Sequence, residues 1–489
     1  MEIKKSLQQN KETAKKIYTS DDIVFFDFTM STTKCFAVYI DNIIDKASLS
    51  QFVITPLETL SKSTSIEKIA EKISLPSVKI ASTFDECTQM LTEGYAIIFI
   101  GKNEKALCVD IKKYESRSLT EPPTSAILKG PREGFIENLK TNLSLLRKRI
   151  KSNDFCVENL QVGKYTKTTV SVVYISSLAN KELIEKVKKR IQAIDIDGIP
   201  DSSYISKFIS DDGKSLFKHT GTTEKPDIMV AKMLEGRIGI LVDGSPIAIT
   251  LPYLIIEDFQ TPEDYYISVF RANFIRILRV LSLFIAVLLP AFFVAAQLFH
   301  LQFIPLNFLL TIVNSIKGIP LSPSYEMFFT LLIFEILNEA SIRMPKYVGM
   351  AVSIVGALVL GETAVNAGIV STPAIMIMAL SGICIYTVPE QLETVSIIRI
   401  IFLIIAGSIG AYGILLCTAF LFIYVSSQTL SFAPLLAPYA PLVKEDLKDG
   451  LTLKPVSEMQ YRPKSFARGN NNKRLKLKEN DDDSTQTEK

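Results

Sequence analysis

Apolar residues collect in the second half of the chain into long blocks separated by short polar turns. The block at residues 280–299 contains no charged residue and has the roughly 20 residues that a helix needs to cross a bilayer. Four further apolar blocks follow it, at residues 327–337, 347–370, 373–388 and 397–427. The pattern predicts an all-α polytopic transmembrane bundle.

Five polar residues interrupt the later blocks, namely Glu335, Asn338, Glu339, Glu362 and Asn366. A polar side chain at membrane depth costs a few kcal/mol, so it faces other helices or water rather than lipid. Helical spacing places the first three on one helix face and the last two on another. All five are candidate ion-pathway residues. The alternative is that they hydrogen-bond neighbouring helices and hold the bundle together, or that Glu339 pairs with Arg343 at the inner interface.

The first half of the chain alternates short apolar strands with capped helices, which predicts an α/β region. Residues 23–28 and 34–41 have strand character, and the all-apolar run at residues 95–100 predicts a sheet that is covered on both faces. Thr83 followed by Glu86 is typical of a capped helix start.

A second strand and helix pattern begins after a connector rich in proline and glycine. Asn180 is placed to cap a helix whose apolar residues recur at helical spacing. Asp243 and Gly244 separate two apolar runs and predict a hairpin, because this pair readily takes positive φ angles. The region is therefore predicted to contain two subdomains.

These patterns together predict five parts of the chain. They are a flexible tail at residues 1–20, α/β subdomains at 21–116 and 117–270, a transmembrane domain of five or six segments at 271–430, and a cytoplasmic C-terminal tail at 431–489.

Composition and motifs exclude several classes of protein. A net charge of +3 without an aromatic and basic cluster argues against nucleic-acid binding. The six cysteines form no CxxC pair, which favours buried free thiols in a reducing compartment. Only two histidines are present, and the chain has no GxSxG, HExxH, Walker A or dinucleotide-binding motif. We therefore predict a protein that is not an enzyme and needs no cofactor or metal.

Charged residues beside the apolar blocks predict the orientation of the bundle. Arg271, Arg276 and Arg279 precede the first block, so its N-terminal end is expected on the cytoplasmic side. Arg343 and Lys346 place the turn after the second block on the same side. The N-terminus has no apolar segment typical of a signal peptide, which also predicts a cytoplasmic α/β region.

The last block leaves the number of spans open. The fourth block is expected to return to the cytoplasmic side near Pro389, where Glu390, Glu393 and Arg399 follow. The run that follows is long enough for one tilted helix or for a helical hairpin broken near Gly407, Gly410 and Gly413, and the basic tail favours a cytoplasmic C-terminus.

Several segments taken together resemble the A subunits of spore germination receptors, the GerA-type family of endospore-forming bacteria. They are residues 121–150, 223–252, 263–266 and 342–345. The chain departs from the family pattern at Lys225, where an arginine is more usual before Pro-Asp, and in the KHTGT sequence that leads into this segment.

The resemblance implies a multi-pass protein of the spore inner membrane. It implies that the chain works with a transporter-like B subunit and a lipoprotein C subunit to sense nutrients. It also implies that A subunits assemble into a ring within the lipid and form a nutrient-gated ion channel.

Three functions remain to be compared. The first is a channel-forming receptor subunit that passes cations. The second is a membrane-anchored scaffold that assembles the receptor without conducting ions, but a pure anchor needs only one span and no intramembrane carboxylates. The third is a secondary transporter, which the sequence disfavours because the membrane block has no repeated pair of broken helices.

Overall fold

The computed structural model describes residues 1–489 except 32, 60–65, 74, 76, 114–128, 211–214, 345–355, 357–358, 431–432, 466–472 and 475–489. Its first α/β unit contains helices α1 (Leu7–Ile17), α2 (Lys46–Ser48), α3 (Thr55–Glu58), α4 (Ile66–Ala70) and α5 (Phe84–Thr92), with a π-helical turn (Leu49–Ile54) between α2 and α3. Its strands are β1 (Ile23–Met30), β2 (Thr33–Ile40), β3 (Val78–Ala81), β4 (Tyr95–Ile100) and β5 (Ala106–Asp110). The strands form one antiparallel sheet in the order β1-β2-β4-β5-β3.

The central strand β4 confirms the prediction of a sheet covered on both faces. All its residues are buried, because alternate side chains enter separate apolar cores on the two faces. The predicted cap is also present, since the Thr83 hydroxyl oxygen accepts a hydrogen bond from the backbone N–H of Glu86 at 3.2 Å. Local sequence signals therefore determine this unit well.

The second α/β unit contains helices α6 (Leu139–Arg149), α7 (Lys181–Gln192), α8 (Ser202–Ile209) and α9 (Pro226–Leu234). Its strands are β6 (Phe155–Val162), β7 (Thr168–Ile175), β8 (Gly221–Thr223), β9 (Ile238–Val242) and β10 (Ala248–Leu251), again antiparallel, in the order β6-β7-β9-β10-β8. The predicted Asn180 cap and the hairpin are both present, and Gly244 has a φ of +88°. The predicted subdomain boundary after residue 116 lies outside the described residues.

The two units repeat one arrangement of elements. In each sheet the strands lie in the order first, second, fourth, fifth, third, and a helix precedes the first strand. The turn before the fourth strand is also repeated, with Glu93–Gly94 in the first unit and Glu235–Gly236 in the second, where both glycines have positive φ. Sequence analysis did not detect this repeat.

The repeat explains an error in the predicted domain organisation. Residues 1–20 were predicted to be a flexible tail, but α1 lies within them and buries Ala14, and Tyr18 is also buried. This helix occupies the position in the first unit that α6 occupies in the second. Its few apolar residues pack on one core of the first sheet, so tertiary contacts outweigh its polar composition.

A buried ion pair joins the two units. Arg147 on α6 is 3% exposed and donates to both carboxylate oxygens of Asp22, at 2.8 Å and 2.7 Å. The same guanidinium lies over the ring of Phe155 and also donates to the hydroxyl of Ser20 at 3.1 Å. Separating the two units would leave each charge of this pair without its partner, which is energetically costly. The ion pair therefore holds the two units together.

The C-terminal half contains helices α10 (Val269–Phe299), α11 (Leu306–Ile316), α12 (Pro323–Arg343), α13 (Ala364–Asn366), α14 (Thr372–Ile385), α15 (Leu392–Ile409) and α16 (Ala411–Ser427), with a π-helical turn (Val359–Thr363) before α13. Among the described residues, two helical stretches, Val269–Phe299 and Pro389–Ile409, are long and apolar enough to cross a bilayer. The short α11 was not among the predicted apolar blocks. Most of the third predicted block, residues 347–370, lies outside the described residues.

The last apolar run forms two helices rather than one. Gly410 has a φ of +73° and separates α15 from α16. The start of α15 and the end of α16 both contact the loop before β8, because Thr394 donates to the carbonyl of Leu216 at 2.8 Å and the rings of Tyr424 and Phe217 lie 6.1 Å apart. The two helices therefore form an antiparallel hairpin, one of the two alternatives that the sequence left open.

Part of the predicted C-terminal tail is ordered against the rest of the molecule. Strands β11 (Thr429–Leu430) and β12 (Ala433–Pro434) follow α16, and Leu435 is fully buried among membrane helices and residues of the second unit. We call residues 433–459 the C-terminal segment. It returns to the first turns of α10.

Candidate functional site

Arg399 lies at the centre of a polar network inside the helix bundle. Its guanidinium donates to Glu335 of α12 at 2.5 Å and to the hydroxyl of Ser381 on α14 at 3.0 Å. Ser381 in turn donates to the carbonyl of Ala286 on α10 at 2.7 Å. Arg399 was counted among the charged residues at the cytoplasmic end of the fourth block, but it is 3% exposed within α15 and pairs with the partly buried carboxylate of Glu335. Four helices meet at this network.

The other polar residues of α12 do not join this network. The Tyr386 hydroxyl donates to the side-chain oxygen of Asn338. Glu339 pairs with Arg343 one turn away, and both side chains are largely exposed, as the alternative interpretation of the sequence predicted. The structure therefore gives Glu335, Asn338 and Glu339 separate partners.

Glu362 and Asn366 lie on a different part of the chain. Glu362 belongs to the π-helical turn, Asn366 ends α13, and both are exposed. A side chain added at the adjacent Gly361 would meet no described atom within 4 Å, so none of the described helices of the same chain packs closely against this glycine. Single π-helical turns are frequent at functional positions.

Glu326 is a buried carboxylate that sequence analysis missed, because it lies just before the apolar block of α12. It is 1% exposed and accepts a hydrogen bond at 2.5 Å from the backbone N–H of Ser371, the residue that caps α14. The signal for it was the helix start at Ser322–Pro323, where an acid in the first turn is favoured. The contact places the N-terminal ends of α12 and α14 on the same side of the bundle.

A second polar cluster joins the bundle to the second α/β unit. Asp258 accepts hydrogen bonds from the hydroxyl of Tyr253 at 2.6 Å and from the amide of Gln391, which immediately precedes α15. Burial raises the pKa of Asp258 to about 6, although these hydrogen bonds and the charge of Lys218 act in the opposite direction. Lys218 itself pairs with Glu390 at 2.5 Å. The protonation of Asp258 is thus linked to the contact between the two regions.

Two arginines at the base of α10 share one buried carboxylate. Arg276 and Arg279 both donate to Asp264, at 3.0 Å and 2.8 Å, and Asp264 and Arg276 are fully buried. Burial by itself would raise the pKa of Asp264, but hydrogen bonds and positive charge from the arginines outweigh it and lower the pKa. Arg276 also reaches Asp449 of the C-terminal segment at 3.0 Å.

The described residues hold no group of three histidine, cysteine or acidic side chains suited to a metal ion. All six cysteines are free and five are buried, as predicted. The polar sites described above are ion pairs and hydrogen-bond networks at the contacts between parts of the molecule.

Comparison with known proteins identifies the family. The sequence profile described as "Bacillus/Clostridium GerA spore germination protein" matches residues 11–465. The chain belongs to the GerA family of spore germination proteins. The profile extends through both α/β units, the membrane helices and the C-terminal segment.

Curated members of the GerA family are similar over almost the same length. "Spore germination protein KA" of Bacillus subtilis (strain 168) is 36% identical over 95% of this chain and 88% of its own length. "Spore germination protein GerLA" of Bacillus cereus is 30% identical over 93% of this chain and 94% of its own length. A crystal structure of the N-terminal domain of the A subunit of the Bacillus megaterium germinant receptor GerK3 is 28% identical, covers 52% of this chain and 98% of that one, and gives a TM-score of 0.42.

Residues of the GerA-type segments lie at the joints described above. Asp264 and Tyr265, from the Glu-Asp-Tyr-Tyr run, contact the base of α10 and the C-terminal segment. Lys225, which departs from the family pattern, is 1% exposed, and its ammonium group donates to the carbonyl of Pro131 at 3.5 Å. Lysine thus fills the position with an ammonium group, where the planar guanidinium of arginine would present a fork of donors.

Proposed function

We propose that the chain is the A subunit of a nutrient-sensing germination receptor of the spore inner membrane. In this proposal several copies form a ring that conducts cations, and the ring works with a transporter-like B subunit and a lipoprotein C subunit. Membership of the GerA family and similarity to curated spore germination proteins along nearly the whole chain support the receptor role.

The pairing of the acidic side chains in the membrane region supports cation conduction and favours Glu362 as the residue that lines the pathway. Glu335 forms an ion pair with Arg399, and Glu339 forms one with Arg343. Glu362 forms no ion pair or side-chain hydrogen bond with the described residues and is exposed on its π-helical turn. One such carboxylate per subunit becomes a ring of negative charge when several subunits surround an axis, and acidic rings lower the barrier for cations. This is the observation on which the proposal depends.

Conductance of the reconstituted receptor tests this role. We would add a mixture of the standard L-amino acids, glucose and inosine, called the nutrient mixture below, to receptor in planar bilayers. Glu362→Gln is expected to reduce cation conductance or the preference for cations over anions, at unchanged receptor abundance. Glu393→Gln is the matched control, because Glu393 is also an exposed acid of a membrane helix.

The results separate the channel from the scaffold. Unaltered conductance and ion preference in Glu362→Gln would return Glu362 to a structural role. If the assembled wild-type receptor with its B and C subunits passes no ions, and A subunits alone cause no flux in liposomes, the chain is a membrane-anchored scaffold.

We also propose a cytoplasmic location for both α/β units and the C-terminal segment. The second unit and the C-terminal segment contact the same end of α10, through Asp264 and Asp449, and the first unit is joined to the second through the ion pair of Asp22 and Arg147. The arginines at this end favour the cytoplasmic side. The hairpin of α15 and α16 returns the chain to that side, which agrees with an even number of spans.

A further inference from the structure

Asp449 is held from two directions at the base of the first membrane helix. Arg276 of α10 donates to its Oδ1 at 3.0 Å, and the hydroxyl of Tyr265 donates to its Oδ2 at 2.8 Å. The Arg276 guanidinium also donates to the carbonyl of Gly450 at 2.8 Å and lies over the ring of Tyr265. Both carboxylate oxygens of Asp449 are thus used to join the C-terminal segment to α10 and to the turn before it.

The contact continues along α10 towards its first turn. Asn273 donates to the carbonyl of Leu453 at 3.1 Å and accepts from its backbone N–H at 2.5 Å. Ala272 packs beside them against Leu453 and Met459. A backbone bonded in this reciprocal way follows the helix rather than lying loosely against it.

Charge makes the joint depend on Asp449. Arg276 and Arg279 bring two positive charges to the base of α10, and Asp264 and Asp449 bring two negative charges. Without Asp449 the group retains an excess positive charge beside a fully buried guanidinium. The guanidinium of Arg276 then lacks one of its two carboxylate partners, and it becomes solvated only if the base of α10 moves towards water.

The C-terminal segment also contacts the second α/β unit and the helical hairpin. At its start, Leu435 donates to the carbonyl of Gln428 at the end of α16 and accepts from the N–H of Ile255, which follows the second sheet. Just beyond the segment, Arg462 donates to the carbonyl of Leu234 at the end of α9. One stretch of chain therefore connects the second α/β unit, the hairpin and α10.

We propose that the C-terminal segment is the link through which the second α/β unit moves the first membrane helix, with Asp449 as the positioning residue that holds this link to Arg276. The proposal depends on the receptor function given above. It extends that function, because it assigns the transmission of the nutrient signal to a defined ion pair.

The test compares three variants in the complete receptor exposed to the nutrient mixture. Asp449→Asn removes the charge and keeps the shape, Asp449→Glu restores the charge, and Asp446→Asn is the matched control in the same segment. Asp446 accepts from the backbone of Lys464 and Ser465 and does not bond α10. A second readout is energy transfer between labels at Tyr204→Cys on α8 and Phe270→Cys on α10, both exposed sites, in a Cys417→Ser background.

We expect Asp449→Asn to lower the open probability at saturating nutrient mixture by at least about 5-fold, the lower end of usual coupling between sites. Single-channel conductance should not change, because Asp449 does not line the proposed pore. The nutrient-induced change in energy transfer should disappear in Asp449→Asn and persist in Asp449→Glu and Asp446→Asn. If Asp449→Asn only failed to fold, the number of receptors would fall. The open probability of each remaining receptor would then equal that of wild type.

Two results would overturn the inference. One is a change in energy transfer that is as large in Asp449→Asn as in wild type, and the other is a wild-type receptor whose labels do not respond to the mixture. If the labels move in wild type and not in Asp449→Asn while no receptor conducts ions, the link stands and the proposed channel fails.

Discussion

Arg399 and Glu335 form an ion pair of 2.5 Å between α15 and α12, and the arginine is 3% exposed. The pair converts two residues that are costly at membrane depth into one neutral unit. It also explains why Glu335 is a poor candidate for conducting cations, because the guanidinium of Arg399 already balances its charge.

This pair should stabilise the bundle in a way that a double-mutant cycle reveals. Glu335→Gln should lower the free energy of unfolding by about 3–5 kcal/mol, because it leaves the buried guanidinium of Arg399 unpaired. Arg399→Gln should lower it by less, because the carboxylate of Glu335 is partly exposed. The double variant should lose less than the sum of the two. Denaturant unfolding of the full chain in detergent measures all three. Glu339→Gln, at an exposed pair, should change stability by less than about 1 kcal/mol, and losses at residues 335 and 399 that simply add would contradict the pairing.

The sidedness of the chain can be tested by labelling. Tyr165 in the second α/β unit, Leu442 in the C-terminal segment and Phe303 after α10 are all well exposed. Each would be changed to cysteine in a Cys417→Ser background and treated with an impermeant thiol reagent in intact right-side-out vesicles. Only Phe303→Cys should react, because the other two lie at the opposite end of α10. Labelling of Tyr165→Cys in intact vesicles would refute a cytoplasmic α/β region.

The raised pKa of Asp258 predicts a defined pH dependence. The pKa is about 6 in the folded chain against an ordinary value of 3.8, so the folded chain favours the protonated form. Below about pH 4 the folded and unfolded chains both hold the proton. As the pH rises to about 6, ionisation costs the folded chain about 3 kcal/mol, at about 1.4 kcal/mol per pKa unit.

Asp258→Asn isolates this contribution from other titrating groups. The variant lacks the ionisation, so its stability relative to wild type should rise between about pH 4 and pH 6 and stay constant above that range. Unfolding of both proteins across the pH series checks this. A stability difference that does not vary with pH would mean that Asp258 titrates alike in the folded and unfolded chains.

Local signals in the sequence predicted much of the fold. Thr83 and Asn180 cap helices because their side chains can reach backbone N–H groups a few residues ahead, and Asp243–Gly244 turns because glycine accepts a positive φ. The candidate site was harder to predict, since the partners of a buried charge depend on which helices pack together. The separation of 64 residues between Glu335 and Arg399 carries no periodic signal.

The repeated α/β unit places two similar joints one after the other. The first unit is followed by α6, whose Arg147 forms an ion pair with Asp22. The second unit is followed by α10, whose Arg276 forms ion pairs with Asp264 and Asp449. The contacts described above between the α/β region and the membrane helices all come from the second unit. The two joints therefore act in series. A rotation of the first unit reaches the membrane helices only if the ion pairs at both joints hold, so the loss of one joint cannot be compensated by the other.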